Sequence, residues 1–166
     1  CAHFALPASP RLIYMGTLGK AAGASGAFIA GSATVIEWLL QRARTYIFST
    51  GSSPIIACAL RASLTQIAEG DARRAHLAVL TTQLRHGLTG SRWKLLPSPT
   101  AIQPIVVGDN HAVVALAEAL YARGLWVPGI RPPTVPQGSA RLRVSLSAAH
   151  TADHVARLVD AMRELA

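Results

Sequence analysis

Apolar and polar positions along the chain divide it into a series of short elements. Residues 11–16 carry the apolar run Leu12-Ile13-Tyr14-Met15 and read as a buried strand, and Ala27–Ala30 as a second short one. Between them lies a glycine-rich loop, Thr17–Gly26. Ser32-Ala-Thr34 offers N-caps for a helix through Val35-Ile36 and Trp38-Leu39-Leu40. The hydroxyl-rich loop Ser49–Pro54 leads into a helix from Ile55 to about Ala68, with Pro54 suited to its first turn. Cys58, inside Ile55-Ile-Ala-Cys-Ala-Leu60, reads as a small buried hydrophobe. After the polar break Glu69-Gly-Asp71, Leu77, Leu80, Leu84 and Leu88 recur at helical spacing up to Gly87–Gly90.

The second half alternates in type. Ala101–Val107 is strand-like, and Asp109 or Asn110 caps a helix running to Arg123-Gly124. Leu125–Ile130 reads as a further strand, followed by the proline-stiffened loop Arg131–Pro136. Arg141–Ser147 has period two, so Leu142, Val144 and Leu146 share one face and Arg141, Arg143 and Ser145 the other. Thr151 caps a last helix, Ala152–Leu165, with Val155, Leu158, Val159 and Met162 on its apolar stripe. No internal repeat is visible. The class is α/β, with a lobe boundary at the polar break: residues 1–69 and 70–166. The second lobe should be a small helix-covered sheet.

Composition narrows the function classes. With 51% hydrophobic and 14% charged residues in 166, the chain can build a substantial core, and wholesale disorder is excluded. The net charge of +8 invites a nucleic-acid reading. The arginines are scattered, however, and the few aromatics do not interleave with them, so a solvated arginine-rich surface is the better account. Cys1 and Cys58 are too few for a zinc site or a disulfide framework. No segment approaches the ~18 apolar residues of a membrane span. No signal peptide opens the chain, which points to a cytoplasmic protein.

Candidate chemistry begins with Lys20. The chain has 16 basic residues, of which Lys20 and Lys94 are the lysines. A lysine can lose its proton and attack a carbonyl, which arginine cannot, and flanking glycines allow a ligand close to the backbone. A tight turn bearing a solvated lysine is the competing reading. The Walker pattern fails, because two residues rather than four separate Gly16 from Gly19, and Ala21 follows the lysine. His150 and His154 stand four apart, yet His150 precedes the Thr151 cap, so the pair reads as a helix-start decoration and no metal is expected. Arg141 and Arg143 on one strand face, with Arg131 just upstream, suit bidentate capture of a carboxylate or are simply solvated.

A set of segments taken in order resembles the α-oxoamine synthases. They are Thr17-Leu-Gly-Lys20-Ala with Gly23 and Ser25-Gly26, Phe48-Ser-Thr50, Gly108-Asp-Asn110, Ile130-Arg-Pro-Pro-Thr-Val-Pro136, and Ala140-Arg-Leu-Arg-Val144 with Ala148-Ala-His150. This family consists of pyridoxal 5'-phosphate enzymes of the aspartate-aminotransferase fold type. The resemblance implies a C-terminal part of that fold: the tail of the large domain (1–69) plus the small α/β domain (70–166). It implies that Lys20 bonds covalently to the cofactor and later shuttles protons at the substrate α-carbon. Thr17 matches the hydroxyl that contacts the cofactor phosphate. Ser49 and Thr50 match the segment that reaches the phosphate of the neighbouring subunit's cofactor in these homodimers. Arg143 matches the arginine that grips the amino-acid carboxylate, and Thr134 is a further substrate-side candidate.

Segment 130–136 is similar to the members that condense L-alanine with a pimeloyl thioester, releasing carbon dioxide, in biotin biosynthesis. Members using glycine diverge there. The implied partners are therefore an amino acid and an acyl thioester, with neither nucleic acid nor membrane. The family also needs an acidic partner for the pyridinium nitrogen and a ring-stacking residue, both placed before the lysine. Here 19 residues precede Lys20, and the first carboxylate is Glu37. The expectation is a fragment that is inactive alone.

Overall fold

The computed structural model describes residues 5–166; Cys1 and His3 lie outside them. The chain divides into two compact units, residues 1–70 and 71–166.

In the first unit, β1 (Tyr14–Thr17) and β2 (Ala27–Ala30) form an antiparallel hairpin, with Tyr14 opposite Ala30 and Thr17 opposite Ala27. Helices α1 (Ala33–Arg42), α2 (Arg44–Ile47) and α3 (Pro54–Ala68) follow. Pro54 opens α3, and the Ser53 hydroxyl accepts the Ile55 N–H. Two readings need correction here. The first strand begins at Tyr14, three residues later than the expected start at Arg11, and Ile13, Tyr14 and Met15 are half or more exposed rather than buried. Cys58 is exposed, because α3 buries none of its residues within the described chain. An apolar run reports a face that can be buried, and no described residue of this unit covers that face. The four-residue helix α2 carries no periodic signal and was not anticipated.

The second unit packs helices on a four-stranded antiparallel sheet of order β3-β4-β6-β5. Its elements are α4 (Asp71–Gly87), β3 (Lys94–Leu95), β4 (Ile102–Gly108), α5 (Asn110–Ala122), β5 (Gly129–Ile130), β6 (Ala140–Ser145) and α6 (Ala152–Glu164). Leu80 and Leu84 of α4, Leu120 of α5, and Val155 and Met162 of α6 close over Ile105, Leu142 and Val144 of the sheet. Leu88 joins this core, whereas Leu77 is half-buried. Asp109, not Asn110, caps α5, accepting the N–H groups of His111 and Ala112 at 2.8 Å each.

The expected strand 125–130 shrinks to Gly129–Ile130, since residues 125–127 leave the ladder and Pro128 keeps only a carbonyl bond to it, while Val127 remains in the core. The ladder partner β3 is two residues long, too short for a periodic signal. A methyl group on Gly87 would stand 2.7 Å from Val159 Cγ2, so glycine lets α4 and α6 touch closely. Fully buried Gln103 accepts Arg85 Nη1–H at 2.7 Å, and its amide donates to the carbonyls of Ser98 and Thr100. The Trp93 indole donates to the Met162 carbonyl at 2.6 Å.

Candidate functional site

The hairpin presents Lys20 on a closed loop. The Leu18 N–H donates to the Gly26 carbonyl at 2.9 Å, and the Ala24 N–H donates back to Leu18 at 3.1 Å. Within it, the Gly23 N–H donates to the Lys20 carbonyl at 2.9 Å, making Lys20 the first residue of a tight turn. Gly23 (φ 65°) and Gly26 (φ 100°) take left-handed backbone, which favours glycine at both. The loop is pegged from below: Ala22 is buried, and its carbonyl accepts the Ser63 hydroxyl of α3 at 2.7 Å. Lys20 itself is exposed and has no carboxylate partner among the described residues. Thr17, also exposed, ends β1 three residues before it. Sequence reasoning missed Ser63, whose contact spans 41 positions and leaves no local trace.

Ser49 and Thr50 follow α2 and are exposed. The Ser49 hydroxyl donates to the Thr45 carbonyl. Among the described residues neither is hydrogen-bonded to the lysine loop.

Arg143 and Thr134 belong to the second unit. Arg143 lies on the outward face of β6, opposite Pro104 of β4, and its N–H donates to the Pro128 carbonyl at 2.9 Å. Its guanidinium is exposed and without an ion-pair partner among the described residues. Thr134 is exposed, in a turn closed by its N–H on the Arg131 carbonyl at 3.0 Å; the Pro132–Pro133 bond in this loop is cis. Arg143 also lines a cavity of about 760 Å³ with Trp126, Leu146, His150, His154 and Arg157.

The two histidines act in local capping. His154 Nδ1 accepts the Thr151 N–H at 3.2 Å while Thr151 Oγ1 accepts the His154 N–H at 3.3 Å, a reciprocal box at the start of α6. His150 Nδ1 accepts the Ser147 N–H at 2.9 Å. Among the described residues no group of three or more His, Cys, Asp or Glu gathers to hold a metal ion. No described helix is long and apolar enough to cross a membrane. The Asp109 carboxyl is held below the usual carboxylate value by the Ala112 N–H in particular.

Among solved structures, a serine palmitoyltransferase of Sphingomonas wittichii matches with a TM-score of 0.85 at 28% identity, over 92% of this chain and 39% of that one. An 8-amino-7-oxononanoate synthase of Francisella tularensis matches with a TM-score of 0.81 at 27% identity, over 92% and 45%. A further structure, described as SPT with PLP, has a TM-score of 0.84 at 25% identity, over 92% and 39%. The α/β architecture is thus that of part of a pyridoxal-phosphate-dependent transferase fold. Among curated sequences, the 8-amino-7-oxononanoate synthase of Dechloromonas aromatica is 65% identical over 99% of this chain and 42% of its own length. That of Herminiimonas arsenicoxydans is 64% identical over 93% and 40%. The chain therefore spans about two fifths of the curated relatives it matches. The model of the class I and II aminotransferases matches residues 2–162, and the chain belongs to that family.

Proposed function

We propose that this chain supplies the lysine loop and the arginine strand of an 8-amino-7-oxononanoate synthase. This is a pyridoxal 5'-phosphate-dependent acyltransferase that joins L-alanine to a pimeloyl thioester and releases carbon dioxide and the thiol. The activity is assigned to a protein of the relatives' length, with residues 1–69 as the end of its large domain and 70–166 as its small domain. The observation that carries the reading is the unpaired Lys20 amine on a loop pegged by Ser63, in a chain 65% identical to such a synthase.

The donor set suits the cofactor. Lys20 offers a primary amine to an aldehyde, Thr17 a hydroxyl to its phosphate, and the open space over Gly23 leaves the loop accessible. Ser49 and Thr50 would serve the phosphate held by a second subunit, which makes the working protein a homodimer with its site at the subunit interface. When bound, the cofactor supplies an electron sink for the charge left at the amino acid α-carbon. The chain's own residues do the rest. The Lys20 amine holds and returns the proton of that α-carbon. Arg143 seats the alanine carboxylate through a bidentate pair, which orients the α-carbon. Thr134 stands on the substrate side in the adjoining loop. The partners are thus an amino acid and an acyl thioester in the cytoplasm; neither a nucleic acid nor a membrane enters the reading.

The test is direct labelling. The chain is incubated with pyridoxal 5'-phosphate, reduced with borohydride and digested. The label should appear on the peptide carrying Lys20, and Lys20→Ala should lose it. Labelling shared equally with Lys94, or retained in Lys20→Ala, would overturn the assignment.

A further inference from the structure

The cavity beside Arg143 has a polarity that the reaction centre alone does not explain. One end is marked by Arg143, whose N–H is bonded to Pro128. The other is marked by Arg157 of α6, whose Nη2 lies 4.0 Å from where a Cβ on Gly124 would stand. The segment from Gly124 to Pro128 therefore runs from one arginine to the other. Between them the wall is apolar: Leu125, Val127 and Pro128 from that segment, with Leu146 beyond β6.

No aspartate or glutamate lines the cavity. Asp153 and Asp160 stand about one turn to either side of Arg157 on α6, yet neither forms an ion pair with it among the described residues. His150 and His154 each accept a backbone N–H at Nδ1, so each ring offers an Nε2–H donor rather than an acceptor.

We propose that this groove takes an acyl chain ending in a carboxylate, with Arg157 holding that terminal carboxylate. The inference rests on the function proposed above, in which Arg143 seats the carboxylate of the amino acid. The lengths agree. Four residue steps from Gly124 to Pro128 span at most about 14 Å. When alanine is joined to a seven-carbon diacid chain, about 10 Å separates the amino-acid carboxylate from the terminal one, taking eight bonds at roughly 1.3 Å of rise. Two arginine side chains close the remainder. An apolar middle with a guanidinium at the far end selects a dicarboxylic acyl group over a fatty acyl group of equal length. The fatty chain would forgo the carboxylate–guanidinium pair at Arg157.

The test uses this chain and free acids. Heptanedioate and heptanoate are titrated at matched ionic strength and followed by amide chemical-shift changes. Heptanedioate should bind up to about five-fold more tightly, which is what one solvent-exposed carboxylate–guanidinium pair is worth. The shifts should fall on residues 124–127 and 143–146. Arg157→Gln should erase the preference, and Arg157→Lys should restore part of it. Because Arg157 is exposed, an unchanged thermal melt will verify folding of both variants. Equal affinity for the two acids, an unaffected Arg157→Gln, or shifts away from this groove would overturn the proposal. None of these outcomes involves Lys20 or the cofactor, so the labelling experiment judges the underlying function separately.

Discussion

Replacing Gly87 with alanine adds one methyl group where α4 meets α6, and two opposing effects can be weighed. In a helix interior alanine is favoured over glycine by about 1 kcal/mol, although Gly87 ends its helix and gains only part of that. Against it, the new Cβ would stand 2.7 Å and 2.9 Å from the two γ-carbons of Val159. Val159 cannot swing aside: it is β-branched, held to one main rotamer in a helix, and only 8% exposed within the core. The helices must separate, which also pulls at the 2.8 Å bond from Arg163 Nε to the Gly87 carbonyl.

Overpacking of this kind costs about 1–3 kcal/mol, so the net expectation is a loss of about 1–2 kcal/mol. The assay is a urea melt read by tryptophan fluorescence and circular dichroism, with the slope checked for constancy. Val159→Ala removes both clashing carbons, and adding it to Gly87→Ala should cost about 1 kcal/mol less than the sum of the single variants. A Gly87→Ala protein as stable as the parent, or strictly additive effects, would show that the glycine is not there for this contact.

Gln103→Leu should destabilise the second unit by about 2 kcal/mol in the same melt, because it strips an acceptor from the half-buried Arg85 guanidinium and the donor from the Ser98 and Thr100 carbonyls. An unchanged midpoint would refute that. The Asp109 carboxyl titrates below its ordinary 3.8, so its ionised cap stabilises α5 above that pH and is lost as the pH falls through the lowered value. Thermal melts should therefore show Asp109→Asn losing less stability than the parent between neutral pH and pH ~3. Parallel loss in both proteins would contradict the cap as the source.

Much of the second unit was legible because its signals are local. Thr151 with His154, Asp109 before its helix, and the alternation through Leu142 and Val144 each state their structure within a few residues. What escaped depends on distant partners. The strand 125–130 was overextended because Val127 is apolar for the sake of the core, not for a ladder. Cys58 was placed inside because an apolar helical run cannot say whether a second layer covers it. The candidate residues Lys20 and Arg143 stood out through residue type and motif, whereas Arg157 and Trp126, which share a cavity with Arg143, lie in segments read only as helix and strand.

The peg from Ser63 to Ala22 gives the lysine loop a remote control point. A substitution along α3 that rotates or slides that helix drags the carbonyl it grips, and so re-aims the amine two residues away without altering a single glycine. The aim of the Lys20 side chain is thereby open to adjustment from α3.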